Sequence, residues 1–246
     1  LSTLTFGGDT SVVMEGGATS GAKITGSAAL TLAGNVKVND KGTGTDGAKI
    51  ECPVNLGATR TFTVADDGSS APDLTISGII STGFGIVKAG AGELVLSGNN
   101  SYSGSTTINA GTLLLGASER ISNSSQIILG GGTFSTGATS GYSEDVGTLQ
   151  LTDHSTINLG TGVHTLTFDN SSLVGWKAGK VLTITGWTGI IETFGGGDAG
   201  KIIVGVGGLT STQLAQVAFS GYSQGAVITG SGELVPKAKF FYSTSS

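Results

Sequence analysis

GIVKAGAGELVLSGNNSYSGSTTINAGTLLLG, residues 85–116, decides how this chain is to be read. Its second half, from Asn99 on, carries no charge. Thr107, Asn109 and Gly111 alternate with Ile108, Ala110 and Thr112, and the stretch closes on Leu113, Leu114 and Leu115. In a β-strand successive side chains point to opposite faces, so Leu94 and Leu96 share a face, as do Leu113 and Leu115. Such a stretch could hold a ligand, cradle a phosphate, or form one turn of a repeating scaffold. The surrounding sequence favours the scaffold.

The same pattern recurs along the chain. Leucines two apart follow a glycine in Gly92-Glu93-Leu94-Val95-Leu96, Gly111-Thr112-Leu113-Leu114-Leu115 and Gly147-Thr148-Leu149-Gln150-Leu151, and Leu30 and Leu32 share the spacing. Short β-rich runs bounded by Gly, Asn, Asp or Ser succeed one another from Ser2 to Thr185, too short for the helices of a βαβ protein. Short strands with frequent corners suit a coil wound around one axis, a parallel β-solenoid that stacks its leucines in ladders. At about 20–25 residues and about 4.8 Å per coil, roughly eight coils are expected.

Composition agrees. The 246 residues include 44 glycines but only 3 prolines, and 12% are charged, against about a quarter in an ordinary globular chain. A surface of Ser, Thr, Asn and Gly suits an exported protein. The net charge of −5 and the lack of a basic run argue against nucleic acid as a partner. No apolar run reaches the roughly 18 residues of a membrane span. The start at Leu1 reads as a mature or trimmed form. The single cysteine, Cys52, permits no internal disulfide and is expected as a small buried hydrophobe in a strand.

Residues 85–116 closely resemble the autotransporter-associated β-strand repeat. Its marked positions are present here as Lys88, Gly90, Gly92, Leu94, Leu96, Gly98, Asn100, Tyr102, Gly104, Thr106, Gly111 and Leu113. A looser likeness covers Thr61–Phe134, and Leu182–Pro236 resembles the ends of large secreted repeat proteins. The resemblance implies a right-handed parallel β-helix, secreted or displayed by bacteria, without catalysis. No outer-membrane barrel pattern follows the repeat, so either a barrel was removed or this is a stand-alone secreted subunit. The expected organisation is a solenoid over 1–175, a β-rich cap over 176–236 and a tail over 237–246.

Physical readings of single residues accompany the repeat. Asn99, Asn100 and Asn109 can take left-handed corners and bond local backbone. Tyr102 is expected to pack its ring on a neighbouring coil and keep its hydroxyl wet. Thr210 followed by Gln213 is a capping-box pattern, predicting a capping helix over about 210–219 with Leu214, Val217 and Ala218 on one face.

Candidate chemistry is sparse. Gly195–Lys201 fits the start of a phosphate loop, but Ile202 stands where Ser or Thr is needed and a strand follows, so a Gly-rich turn is expected. His154 and His164 have no third ligand and read as exposed polar residues. Asp66, Asp67 and Asp73 crowd one loop and Asp40 and Asp46 another. Solvated loops are expected there, with Ca²⁺ as the alternative and no other cofactor. Glu144 and Asp145 read as a solvated turn. Polysaccharide-cleaving β-helices need clustered carboxylates or bases on one face, whereas the 17 acids and 12 bases here are scattered.

The expected function is therefore structural: a homo-oligomer or polymer forming an extracellular fibre or surface layer. Open β-edges invite stacking, and the assembly contacts are expected at Leu1, Leu4 and Phe6 and at the tail aromatics Phe240, Phe241 and Tyr242. A monomeric surface adhesin for a glycan or host surface is the second reading, and a polysaccharide-active enzyme the third.

Overall fold

The computed structural model describes residues 4–5, 12–15, 21–39, 47–69, 72–137, 139–189 and 199–237. They form a parallel β-solenoid. Each coil sends one strand into each of two long sheets. The first long sheet stacks nine strands: Val12–Glu15, Val36–Asn39, Arg60–Val64, Ile86–Ala89, Thr106–Ile108, Ile127–Leu129, Glu144–Leu151, His164–Asp169 and Gly200–Ile203. The second stacks nine more: Lys23–Ile24, Ala48–Ile50, Leu74–Ile76, Glu93–Leu96, Thr112–Leu115, Thr133–Ser135, Ser155–Asn158, Leu182–Thr185 and Val217–Phe219. A short third sheet of four strands, Leu4–Thr5, Leu30–Thr31, Val54–Asn55 and Ile80–Ser81, closes the early coils.

In-register stacking turns the alternate leucines into columns. On the second sheet Leu74, Leu94, Leu113, Phe134, Ile157, Ile184 and Phe219 stand one above the next. All are essentially fully buried. Burial of a Leu, Ile or Phe side chain contributes about 1.5–3 kcal/mol, so each coil adds a similar increment and leans on its neighbours. Leu114, the middle of the apolar run, points outward in register with Val95, and both are still buried.

The coils change size along the axis. Register places Leu30 on Val54 and Arg60 on Ile86, offsets of 24 and 26 residues. Ile86 then sits on Thr106 and Leu94 on Leu113, offsets of 20 and 19. The shortening coincides with the end of the third sheet at Ser81.

The far end is covered. A short helix, α1 (Ser211–Ala215), carries the predicted capping box between Thr210 and Gln213. It is shorter than the predicted 210–219. Residues Val217–Phe219 instead continue the second sheet, because Val217 and Phe219 fit the inward columns against Leu182 and Ile184. Gln213 is buried, its Nε2 donating to the Ser171 and Val174 carbonyls at 2.9 Å each. An antiparallel hairpin, Ala226–Ile228 with Leu234–Pro236, lies across the last coil. Val204 N–H donates to Gly232 O at 3.0 Å, and Gly225 N–H to Val217 O at 2.7 Å. The edge groups of the final strands are thus partly spent. Cys52 is buried as expected, at the corner after Ala48–Ile50 rather than within a strand.

Candidate functional site

The repeat motif gathers into two corners of the coil, one on either side of the strand Ile86–Ala89. At the first corner Lys88 lies on the inward column, between Phe62 below and Ile108 above. It is fully buried. Its ammonium has three donors and no acceptor, and all three are used: on Ala89 O at 2.9 Å, Gly90 O at 2.8 Å and Ala110 O at 3.1 Å. The last belongs to the next coil. Gly90 makes this corner with φ +78°, and a Cβ there would lie 2.2 Å from Val64 O. Burial pulls the Lys88 pKa down to about 8, opposed by the nearby charge of Asp73. Asp73 in turn accepts from Asp67 N–H at 3.0 Å and Glu93 N–H at 2.6 Å. Glu93 is pushed upward by burial first and by Asp73 second.

Asp66, Asp67 and Asp73 do converge, with carboxylate oxygens within 4.8 Å of one another. With Ser69, Gly92, Glu93 and Thr112, Asp66 and Asp73 border a cleft of about 160 Å³. These are hard-oxygen donors of the kind Ca²⁺ takes. The solvated-loop expectation fails at Asp73, which is buried because each of its two oxygens fixes a backbone amide. Asp40 and Asp46 lie outside the described residues.

The second corner replaces the third sheet. Ser101 N–H donates to Ile80 O at 2.9 Å and Ser103 N–H to Thr82 O at 3.0 Å, so the chain still tracks the coil below. Side chains supply the remaining bonds. Ile80 N–H donates to Asn100 Oδ1 at 2.8 Å, and Asn100 Nδ2 donates to Arg120 O at 2.8 Å. Arg120 and Ile121 N–H then donate to the two oxygens of Glu144 at 2.8 and 2.6 Å. A relay of two side chains thereby ties four successive coils. Glu144 is fully buried, and burial lifts its pKa to about 7 against the opposing backbone bonds.

Inside the same corner runs a chain of hydroxyls. Ser125 Oγ donates to Gly104 O at 2.8 Å. Its proton being spent, the 2.9 Å bond to Thr106 Oγ1 is donated by Thr106, and the 2.7 Å bond between Tyr102 and Thr106 is donated by the phenol. Tyr102, Thr106 and Ser125 are fully buried. Burial raises the Tyr102 pKa, keeping the phenol neutral.

Several expectations are corrected by this geometry. Tyr102 does not keep a wet hydroxyl, because Thr106 offers it an acceptor inside the coil. Asn100 bonds across coils rather than locally. Among the described residues only Thr82 (φ 136°) and Glu119 (φ 55°) are non-glycine residues with positive φ, so no asparagine makes a left-handed corner there. Glu144 and Asp145 lie in the strand Glu144–Leu151, not in a turn. His164 is buried, its Nδ1 donating to Gly162 O at 3.0 Å and Nε2 meeting Thr136 Oγ1 at 2.9 Å. Gly141 makes room for it, since a Cβ there would lie 2.0 Å from the ring. His154 is exposed as expected, its Nδ1 accepting from Val181 N–H at 3.2 Å. The two histidines do not join the acidic cluster.

Leu94, Leu96 and Leu113 occupy the inward columns and Gly92, Gly98, Gly104 and Gly111 the corners. Leu4 lies in the first strand, paired with Leu30. Leu1, Phe6, Phe240, Phe241 and Tyr242 lie outside the described residues, as do Gly195–Asp198; Gly200 and Lys201 begin a strand as expected. Among the described residues no helix is long and apolar enough to cross a membrane.

The fully buried positions were marked in the sequence by parity alone. Lys88 alternates with Ile86, and Glu144 with Val146, so both share an inward face. What parity leaves out is the backbone group from another coil that satisfies each one.

Residues 86–115 match the family model of the Passenger-associated-transport-repeat. No curated protein and no solved structure matches the chain significantly.

Proposed function

We propose that this chain is a non-enzymatic structural protein of the bacterial surface or exterior, a solenoid segment of an exported passenger that associates with further copies into a fibre or layer. The match of residues 86–115 to a passenger repeat, together with the β-solenoid fold, supports an exported, passenger-like protein. One observation carries the structural role. The repeat and the coil that follows it spend their buried functional groups on holding coils together: Lys88 and Asn100 of the repeat and Glu144 beyond it bond the backbone of a neighbouring coil, and Tyr102 leads through Thr106 into the next. A catalytic group has to remain available to a substrate, and these are occupied by the scaffold.

The two ends of the stack support a direction for association. The last coil lies under α1 and the antiparallel hairpin. At the first coil, Leu4–Thr5, Val12–Glu15 and Lys23–Ile24 are the terminal strands of their sheets. A terminal strand of a sheet is a template for another chain. Association therefore runs through the first coil. Light scattering with negative-stain imaging of the native protein tests this. Regular fibres or sheets that disappear on Val13→Pro are expected: Val12 N–H is spent inward on Asn35 O, so the next N–H, that of Val13, points to the outer edge and is the one proline removes. A clean monomer of 24.3 kDa at all concentrations overturns self-association and leaves an adhesin for a glycan or host surface as the reading to pursue.

A further inference from the structure

The motif Asn-x-Ser, whose asparagine amide can accept a sugar, occurs three times: Asn99-Asn100-Ser101, Asn123-Ser124-Ser125 and Asn170-Ser171-Ser172. All three leading asparagines are exposed. What separates them is where the closing serine spends its donors. Ser101 N–H donates to Ile80 O at 2.9 Å, on the coil below. Ser125 N–H donates to Ser122 O at 2.8 Å, and its hydroxyl donates to Gly104 O at 2.8 Å inside the coil. Ser172 turns both donors on its own asparagine: its N–H donates to Asn170 Oδ1 at 3.0 Å and its Oγ donates to the same oxygen at 2.6 Å. The result is an Asx turn. Both bonds fall on Oδ1, so Asn170 Nδ2 stays without a partner among the described residues.

We propose that Asn170 is the acceptor for an N-linked sugar. The turn is held in place by its middle residue. Ser171 is fully buried, its Oγ accepting from Leu149 N–H and donating to Asp169 O at 2.8 Å each, while its N–H donates to Gly208 O at 2.8 Å. The backbone is thus clamped on both sides and Asn170 stays outside. Leu173, three residues along, is 99% exposed, so this loop is open to a transferase. The chemistry requires a sugar carried on a phosphate leaving group. Asn170 Nδ2 attacks the anomeric carbon, the C–N bond forms as the C–O bond to phosphate breaks, and the phosphate leaves with the electron pair. One amide proton passes to a base of the transferase. Losing that proton places negative charge on Oδ1, where the two Ser172 donors already point. The serines that close the other two motifs have donors committed to the scaffold. Asn170 follows the eighth strand of the first sheet, at the opposite end from the first coil, so the association proposed above stands or falls separately.

Peptide mass spectrometry of the full chain, isolated from the cells that make it, reads the site directly. A sugar-bearing peptide containing Asn170 is expected, with Asn99 and Asn123 bare. A bare Asn170 overturns the proposal. The part played by the fold is read with a soluble asparagine glycosyltransferase and UDP-glucose. In the folded chain Asn170 is labelled at least about tenfold faster than Asn99 or Asn123, the worth of one hydrogen bond that strengthens in the transition state. After digestion to peptides the three rates converge. Asn170→Gln abolishes labelling of the folded chain, and Ser172→Thr, which keeps both donors, retains it. Equal rates at the three motifs of the folded chain overturn the selection by Ser172, and labelling of Asn170 only after digestion overturns the site itself.

Discussion

The coils before Thr82 and those after it solve one problem in two ways. The earlier coils, 24–26 residues around, close their third side with a backbone ladder through Leu30–Thr31, Val54–Asn55 and Ile80–Ser81. The coils that follow it have no strand there; those carrying the repeat are 19–22 residues around, before the last coils widen again to 27–36. Asn100 and Glu144 stand in for the missing ladder. The cores differ accordingly. Among the described residues before Asp73 no buried polar side chain occurs, whereas Lys88, Asn100, Thr106, Ser125 and Glu144 are all buried after it. Shortening a coil removes backbone donors and acceptors from the third side, and buried groups left unpaired are costly. The sequence therefore imports polar side chains as substitutes. The regular sheet tolerates almost any residue of the right parity, while the short coil depends on particular side chains.

The largest consequence falls on Glu144. In Glu144→Ala the Arg120 and Ile121 amides lose their acceptor at once. At about 1–3 kcal/mol for each orphaned buried group, a loss of about 4 kcal/mol is expected from urea unfolding monitored by circular dichroism. Thr31→Ala, an outward position on the third sheet of the early coils, is expected to cost less than about 0.5 kcal/mol. Equal losses at the two positions break the contrast between ladder and relay.

The second consequence is a pH signature confined to the short coils. The folded pKa of Glu144, about 7, lies above its ordinary 4.5, so the folded state binds the proton more tightly than the unfolded chain. This group's contribution is full below pH 4.5 and declines as pH rises toward 7. At about 1.4 kcal/mol per pH unit the decline totals about 3 kcal/mol. Lys88 works in another window. Its folded pKa of about 8 lies below 10.5, so its charged form is penalised, and stability recovers as pH rises from about 8 toward 10.5. Stability measured from pH 4 to 10 therefore passes through a minimum between 7 and 8. Glu144→Gln is expected to flatten the acid limb and leave the alkaline one. An unchanged acid limb in that variant assigns the titration elsewhere.

These two residues also mark the limit of what the sequence discloses. The alternation of Leu94, Leu96 and Leu113 specifies the inward columns, and the recurrence of glycine specifies corners, so the solenoid is legible. The capping box at Thr210 and Gln213 is local and equally legible. Where α1 stops is not, because Val217, Ala218 and Phe219 suit a helix face and a strand alike until the column above Ile184 claims Phe219. The buried polar groups are the least legible. Asn100 and Glu144 each serve backbone groups 20 to 24 residues away. A backbone amide carries no residue type, so its need for a partner leaves no mark at its own position. His164 escaped for the same reason, since glycines at 141 and 200 create its space.

Tyr102 tests the relay at a finer scale. Tyr102→Phe removes the donor at the head of the hydroxyl chain but keeps the ring in place. Thr106 still donates to Ser125, and only one acceptor goes unused. A loss of about 1 kcal/mol is expected, read as a shift of the urea midpoint with unchanged slope. Thr106→Val sits in the middle of the chain and should cost more, since it leaves both the phenol and Ser125 short of a partner. A smaller loss for Thr106→Val than for Tyr102→Phe refutes the placement of Thr106 at the middle of the chain.

The smallest effect lies at the junction itself and has the opposite sign. Thr82 follows the last strand of the third sheet with φ at 136°. That conformation costs a β-branched residue about 1–3 kcal/mol. Its Oγ1 is buried without a hydrogen-bond partner, so the side chain returns nothing for the strain. Its carbonyl, by contrast, accepts from Ser103 N–H, and that bond belongs to the backbone and survives any substitution. Thr82→Gly relieves the strain at an entropic cost of about 0.5–1 kcal/mol in the unfolded chain. A net gain of about 1 kcal/mol follows, small enough to need paired urea titrations against the parent. The same change at Thr63, in regular strand on the early coils, carries the entropic cost with no strain to relieve and is expected to destabilise. If both changes lower stability alike, the passage from ladder to relay is made without strain, and the short coils owe their geometry to Asn100 and Glu144 alone.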